Sequence, residues 1–146
     1  MLTVGLDVGG TSVRAGVVDG DGRVLAESSA PTPDRGEVLD DTVAELVAQL
    51  AAEHPVRAVG LAVAGFVDAD RRTVAFGAHL PWRDDPVVER LSPRLGLPVV
   101  LEHDANAAGL AEHRVGAAAG ATVAVLVALG TGIGAALLAD GAIYRG

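Results

Sequence analysis

Two short stretches rich in Val, residues 3–8 and 12–18, are separated by Gly9-Gly10, and this pairing constrains the fold more than any other feature of the chain. Branched side chains favour extended backbone, and adjacent glycines permit a tight reversal, so the chain is predicted to open on a β-hairpin. Asp19-Gly20-Asp21-Gly22 is a second turn cluster, after which residues 23–27 form a third antiparallel strand. Such a sheet needs a cover. Past the breaker Pro31-Thr32-Pro33, residues Leu39, Val43, Leu46, Val47 and Leu50 recur at intervals of three and four, on one face of a helix. Residues 56–64 then read as a fully apolar strand, 74–76 as a short one, and 86–95 as a helix ended by Gly96 and Pro98. Residues 99–101 lead into Asp104, where an Ala-rich helix begins and runs to about residue 115.

A Gly/Ala-rich link at 116–120 precedes a very apolar strand at 122–129, a Gly-rich turn and another strand at 133–138. Two strands without packing partners are marginal in water and expose edges. The last 25 or so residues are therefore expected to open a second domain, giving a first lobe at 1–118 and an incomplete second at 119–146.

Composition narrows the function. The 146 residues amount to about one domain, and although half are hydrophobic, every apolar run breaks before the ~20 residues of a membrane span. The first residues lack the basic start and apolar centre of a signal peptide, which points to the cytoplasm. The absence of Cys removes disulfides, thiolate metal sites and cysteine nucleophiles. All eleven basic residues are Arg, which excludes both the lysine of a Walker A loop and Schiff-base chemistry. A net charge of -8 without a basic run argues against nucleic acid and for small-molecule partners.

Three motifs carry chemistry. In Asp7-Val8-Gly9-Gly10-Thr11, glycines would let backbone N–H groups approach phosphate oxygens, Thr11 would add a hydroxyl, and Asp7 would face an accompanying metal through water. An ordinary hairpin is the alternative. Gly130-Thr131-Gly132-Ile133-Gly134 has the spacing G-x-G-x-G and a strand after it, where a dinucleotide fingerprint needs a helix. Two Gly/Thr turns suit a clamp holding phosphates from two sides; a second flexible hairpin is the alternative. Glu102-His103-Asp104-Ala105-Asn106 spans a strand-to-helix junction, where Asp104 could serve as N-cap, as an acceptor for a substrate hydroxyl's proton, or as both.

In this order and spacing the three motifs resemble the front half of the ROK family of bacterial sugar kinases and sugar-responsive repressors, the glucokinase branch above all. The stretch Leu61-Ala62-Val63-Ala64-Gly65-Phe66-Val67-Asp68 is similar to the family's "APGxVD", and Leu80-Pro81-Trp82 to its "NLPW". The resemblance implies a ribonuclease-H-like, actin-like ATPase fold: a mixed, five-stranded type of sheet flanked by helices, with the second lobe truncated. It implies ATP and Mg²⁺ as cofactors and phosphoryl transfer to the 6-hydroxyl of a hexose. Asp104 would be the catalytic base; Gly9, Gly10, Thr11, Gly130, Thr131 and Gly132 would cradle phosphates; Asp7 would serve the metal; Gly65, His79, His103 and Asn106 would lie near the sugar.

The chain departs from the family at His103 and His79, where glucokinases usually carry sugar-contacting Asn, and at Ala135 and Ala136, which replace glycines. Family members also continue into a Glu-x-Gly-His stretch, a Cys/His zinc site and an adenine-binding lobe, which this sequence lacks. Little or no turnover is therefore expected from the chain alone, with self-association or a complementing C-terminal lobe as its protein partner. A sugar sensor without catalysis and a truncated remnant are the alternative readings; the kinase-like core starts too near Met1 for a helix-turn-helix to precede it, and a sensor has no need of Asp104.

Overall fold

The computed structural model describes residues 1–130 and 132–145. Thr131, a predicted phosphate ligand, and Gly146, the end of the predicted second segment, lie outside the described residues. Strands β1 (Leu2–Val8), β2 (Ser12–Val18) and β3 (Val24–Pro31) form the predicted antiparallel meander. Along β1, Val4, Leu6 and Val8 are buried while Gly5 and Asp7 are exposed, the period-two alternation of a sheet with one face in the core. β3 runs four residues past its predicted end because it is an edge strand, where Pro31 is tolerated.

Helix α1 (Gly36–Glu53) buries Leu39, Val43, Leu46, Val47 and Leu50, the five residues whose spacing predicts it. Strand β4 (Val56–Val63) then pairs parallel with β1, with Leu6 beside Leu61 and Val8 beside Val63. Two short strands, β5 (Phe66–Val67) and β6 (Val74–Phe76), join β7 (Arg83–Asp85) in a small antiparallel sheet. Helix α2 (Val87–Leu95) ends at Gly96, whose φ of +63° and N–H bond to the Pro93 carbonyl close the last turn in the left-handed conformation glycine favours. β8 (Val99–His103) completes a five-stranded sheet of order β3-β2-β1-β4-β8. Val4, Leu6, Val13, Val17, Leu61 and Leu101 from this sheet share one core with α1, α2 and Trp82. Each fully buried aliphatic side chain there contributes roughly 1.5–3 kcal/mol of transfer free energy.

The remaining elements are α3 (Asp104–Val115), β9 (Val123–Leu129), β10 (Ile133–Ala139) and β11 (Ala142–Ile143), the strands forming an antiparallel sheet of order β11-β10-β9. Compactness divides the chain into Met1–Glu102 and His103–Gly146. The sequence-based boundary fell at 118/119, after the Ala-rich helix; in the structure α3 packs on β9 and β10 and groups with them. The approach is close because both partners are small: a Cβ at Gly109 would lie 3.0 Å from the Ala136 Cβ and from a Leu138 methyl. The face of this sheet turned away from α3 exposes Val123, Val125, Val127, Leu129 and Ile133. No helix among the described residues is long and apolar enough to cross a membrane.

Candidate functional site

The predicted site residues fall into both compact units. In Met1–Glu102, the β1–β2 turn carries Gly9, Gly10 and Thr11 at the carboxyl end of β1, beside the carboxyl end of β4, where the Ala64 N–H donates to the Val8 carbonyl at 3.1 Å. Open α/β sheets bind ligands at the carboxyl ends of their strands. Two further bonds from Thr32 brace the turn: its hydroxyl donates to the Gly9 carbonyl at 2.6 Å and its N–H to the Thr11 carbonyl at 3.0 Å. The Gly9 N–H is itself engaged, donating to the Ser12 carbonyl at 3.1 Å.

Gly10 has a second neighbour. His79, on the β6–β7 connection, lies against it, so that a Cβ at position 10 would fall far inside van der Waals contact with the His79 Cβ and 3.3 Å from its Cγ. The predicted phosphate turn and the predicted sugar-contacting histidine are thus adjacent. Gly65 belongs to the same cluster, since a Cβ there would stand 2.7 Å from the Phe76 carbonyl oxygen and 3.0 Å from the Gly77 Cα. The side chains of Asp7 and Thr11 are exposed, and the ladder sets Asp7 directly opposite Arg14 on the sheet face away from the core. Among the described residues no three His, Cys, Asp or Glu side chains come together as a metal cage.

In His103–Gly146, Asp104 is the first residue of α3, with His103 as the N-cap and no side-chain cap bond from it. Sequence reasoning put Asp104 at the cap itself; the helix begins one residue earlier, because β8 runs through His103 and leaves no linker. Its Oδ1 accepts the Ala105 N–H at 2.7 Å and lies 3.3 Å from His103 Nε2. About two-fifths of its side chain is solvent-accessible. The β9–β10 turn lies at this same end of α3, because Gly134 meets Ala105: a Cβ on Gly134 would be 3.1 Å from that of Ala105. Gly130 donates its N–H to the Gly132 carbonyl at 2.9 Å, and the space where side chains would stand at both residues is open. Asp104, His103 and Asn106 are thereby grouped with the second glycine turn.

The sequence reading missed Asp40. This carboxylate is the one buried charged side chain among the described residues, and it accepts the Trp82 indole N–H at 3.0 Å and the Arg90 Nε at 2.8 Å. The available signal was an acid inside the apolar stripe that runs from Leu39 to Leu50.

Residues 3–146 match the ROK family. The chain belongs to the ROK family. It is 40% identical over 145 residues to a glucokinase of Streptomyces coelicolor, covering 99% of this chain and 46% of that protein. The solved ROK family glucokinase of Streptomyces griseus, in complex with glucose and AMPPNP, superposes with a TM-score of 0.95 at 42% identity, covering all of this chain and 47% of the other. The ROK hexokinase of Thermus thermophilus superposes at 0.88 with 39% identity, covering all of this chain and 49% of the other. The fold is that of the ROK sugar kinases, a mixed sheet flanked by helices of the actin-like ATPase type, as the resemblance implies. The chain spans about half the length of these ROK relatives.

Proposed function

We propose that this chain is the front half of an ATP-dependent hexose kinase, working in the cytoplasm and active once a second lobe is supplied. The observation that carries the reading is the grouping of Asp104 at the start of α3 with the glycine turn at Gly130 and Gly132, through the contact of Gly134 on Ala105. A part-exposed carboxylate beside a glycine turn with open space where side chains would stand suits a reaction in which a hydroxyl loses its proton while a phosphate approaches. Asp104 takes the proton of the sugar 6-hydroxyl; that oxygen bonds to the γ-phosphorus of ATP, the bond from this phosphorus to its bridging oxygen breaks, and ADP leaves. Positioning and charge neutralisation supply most of such catalysis.

His79, Gly65, His103 and Asn106 would contact the hexose, and Gly9, Gly10, Thr11, Gly130, Thr131 and Gly132 the phosphates. Gly10 fits this role in one respect, since its missing side chain is what lets His79 approach the turn. Mg²⁺ would be held at Asp7 through water and phosphate oxygens rather than in a protein cage, and would neutralise phosphate charge.

The test is ATP-dependent phosphorylation of glucose and a panel of related hexoses by this chain, with and without the recombinant C-terminal lobe of a related ROK kinase, and with Asp104→Asn as control. Turnover in the complemented mixture, reduced at least about a hundredfold in the variant, is the expected result. Glucose binding without turnover in either mixture would replace the kinase reading by that of a sugar sensor.

A further inference from the structure

Residues 77–82, which connect β6 to β7, have an exposed tip at His79 and a fully buried foot at Trp82. The foot is fastened by directional bonds rather than by apolar contact alone. Asp40 Oδ1 accepts the Trp82 Nε1–H at 3.0 Å, and the Arg90 guanidinium grips the same carboxylate, Nε to Oδ2 at 2.8 Å and Nη2 to Oδ1 at 3.3 Å. Arg90 also reaches Asp85 Oδ1 through Nη1 at 2.5 Å, and the other Asp85 oxygen accepts the Arg83 N–H at 3.1 Å. The guanidinium of Arg83 turns back to the carbonyls of Leu80 and Trp82 and lies over the Phe76 ring, 4.6 Å from its centroid.

A carboxylate inside an apolar helix face is costly to bury, and exchanging the whole Asp40–Arg90 pair for apolar residues is often neutral for stability, so stability alone gives little reason for the pair. What the forked Asp40–Arg90 pair adds is orientation, because it leaves the indole one way to lie. Nearer the tip, Leu80 is buried, its N–H donates to the Gly77 carbonyl and its own carbonyl accepts from Arg83, so the held foot and Leu80 together fix how exposed His79 meets Gly10.

We propose that Asp40 is a positioning residue for hexose binding, acting through Trp82 to hold the 77–82 connection so that His79 stays pressed against Gly10. This rests on the reading that His79 faces the sugar.

The test compares the 146-residue chain with Asp40→Ala and Asp40→Asn, using glucose as the probe. Trp82 is the only tryptophan, so its emission reports the foot directly. Asp40→Ala is expected to red-shift that emission and to raise amide exchange at Leu80 about tenfold or more while leaving Leu6 in β1 unchanged, the loss of one charge-assisted hydrogen bond. The glucose dissociation constant, read by NMR titration of the imidazole signals, should rise by a similar factor. Asp40→Asn, which keeps an acceptor for the indole, should recover much of both. If Asp40→Ala does not fold, Trp82→Phe removes the N–H donor together with one ring of the side chain, leaves Asp40 and Arg90 paired, and carries the same expectation for exchange and affinity.

Unchanged Leu80 exchange in the folded variants would overturn the positioning role. Raised exchange with unchanged glucose affinity would overturn its link to the sugar. Absence of glucose binding in the wild-type chain, with the exchange effect intact, would instead bring down the hexose reading and the sugar half of this proposal.

Discussion

Substituting Gly10 by Ala tests the adjacency of Gly10 and His79 in the candidate site. The φ of Gly10 is outside the left-handed region, so a Cβ meets no backbone strain and the whole effect is steric. The obstacle is the His79 Cβ, which no side-chain rotation can move, and forcing the β6–β7 connection outward costs about 1–3 kcal/mol. Replacing glycine also stiffens the unfolded chain, which returns about 0.4–1 kcal/mol. The net destabilisation is therefore about 1–2 kcal/mol, and with a urea slope of about 2 kcal/mol/M the midpoint should fall by about 0.5–1 M. Urea titration followed by Trp82 emission reads this unit alone, since Met1–Glu102 holds the only tryptophan. The decisive step is a double-mutant cycle. His79→Ala retains the offending Cβ and should relieve little, whereas His79→Gly leaves the His79 carbonyl oxygen as the nearest neighbour, at an ordinary 3.5 Å, and should recover most of the loss. A Gly10→Ala chain as stable as wild type, or one equally destabilised in the His79→Gly background, would refute the adjacency.

Gly65→Ala should cost about 1–3 kcal/mol, because its new Cβ would press on the backbone of Phe76 and Gly77, whereas Gly60→Ala, which faces open space, should cost nothing measurable; thermal unfolding of the two variants decides this. Asp68 accepts the N–H groups of Thr73 and Arg72, at 3.0 and 2.8 Å, and these bonds hold its carboxyl below the usual carboxylate range. A depressed pKa contributes stability above the unfolded value and loses it as pH falls through the folded value, so the advantage of wild type over Asp68→Asn should be present at pH 7 and fade below about pH 4; an advantage independent of pH refutes the assignment. Val125 and Val127 are 67% and 58% exposed, so Thr at both should shift stability by less than about 0.5 kcal/mol each and reduce self-association in sedimentation velocity; unchanged association would show that this face is not the contact.

The elements legible in the sequence were those with a strong period and clear punctuation. The stripe from Leu39 to Leu50 predicts α1, and Asp19 to Gly22 the turn before β3, because burial and turn chemistry act locally. β5, β7 and β11 were not legible: each is two or three residues long, and Arg83-Asp84-Asp85 is a strand only because Phe76 and Val74 offer a ladder to pair with. The candidate site divided in the same way. Its glycine turns and Asp104 announce themselves by composition and position, but the approach of His79 to Gly10 joins residues far apart in sequence. The role of Asp40 needed Trp82 and Arg90, forty-two and fifty positions away, to be seen as its partners.

The order of strands in the larger sheet also bears on how the chain emerges from a ribosome. The β1-β2-β3 meander closes only short loops and can form as soon as residue 31 is free, yet its apolar face, from Val4 to Val17, has nothing to rest on until α1 has followed. β1 has to keep its second edge vacant longer still, for β4, whose first pairing joins Val56 to Leu2. At typical synthesis rates of about 5–20 residues per second, a greasy, half-paired sheet is on display for seconds, a natural target for a chaperone that waits at the exit tunnel.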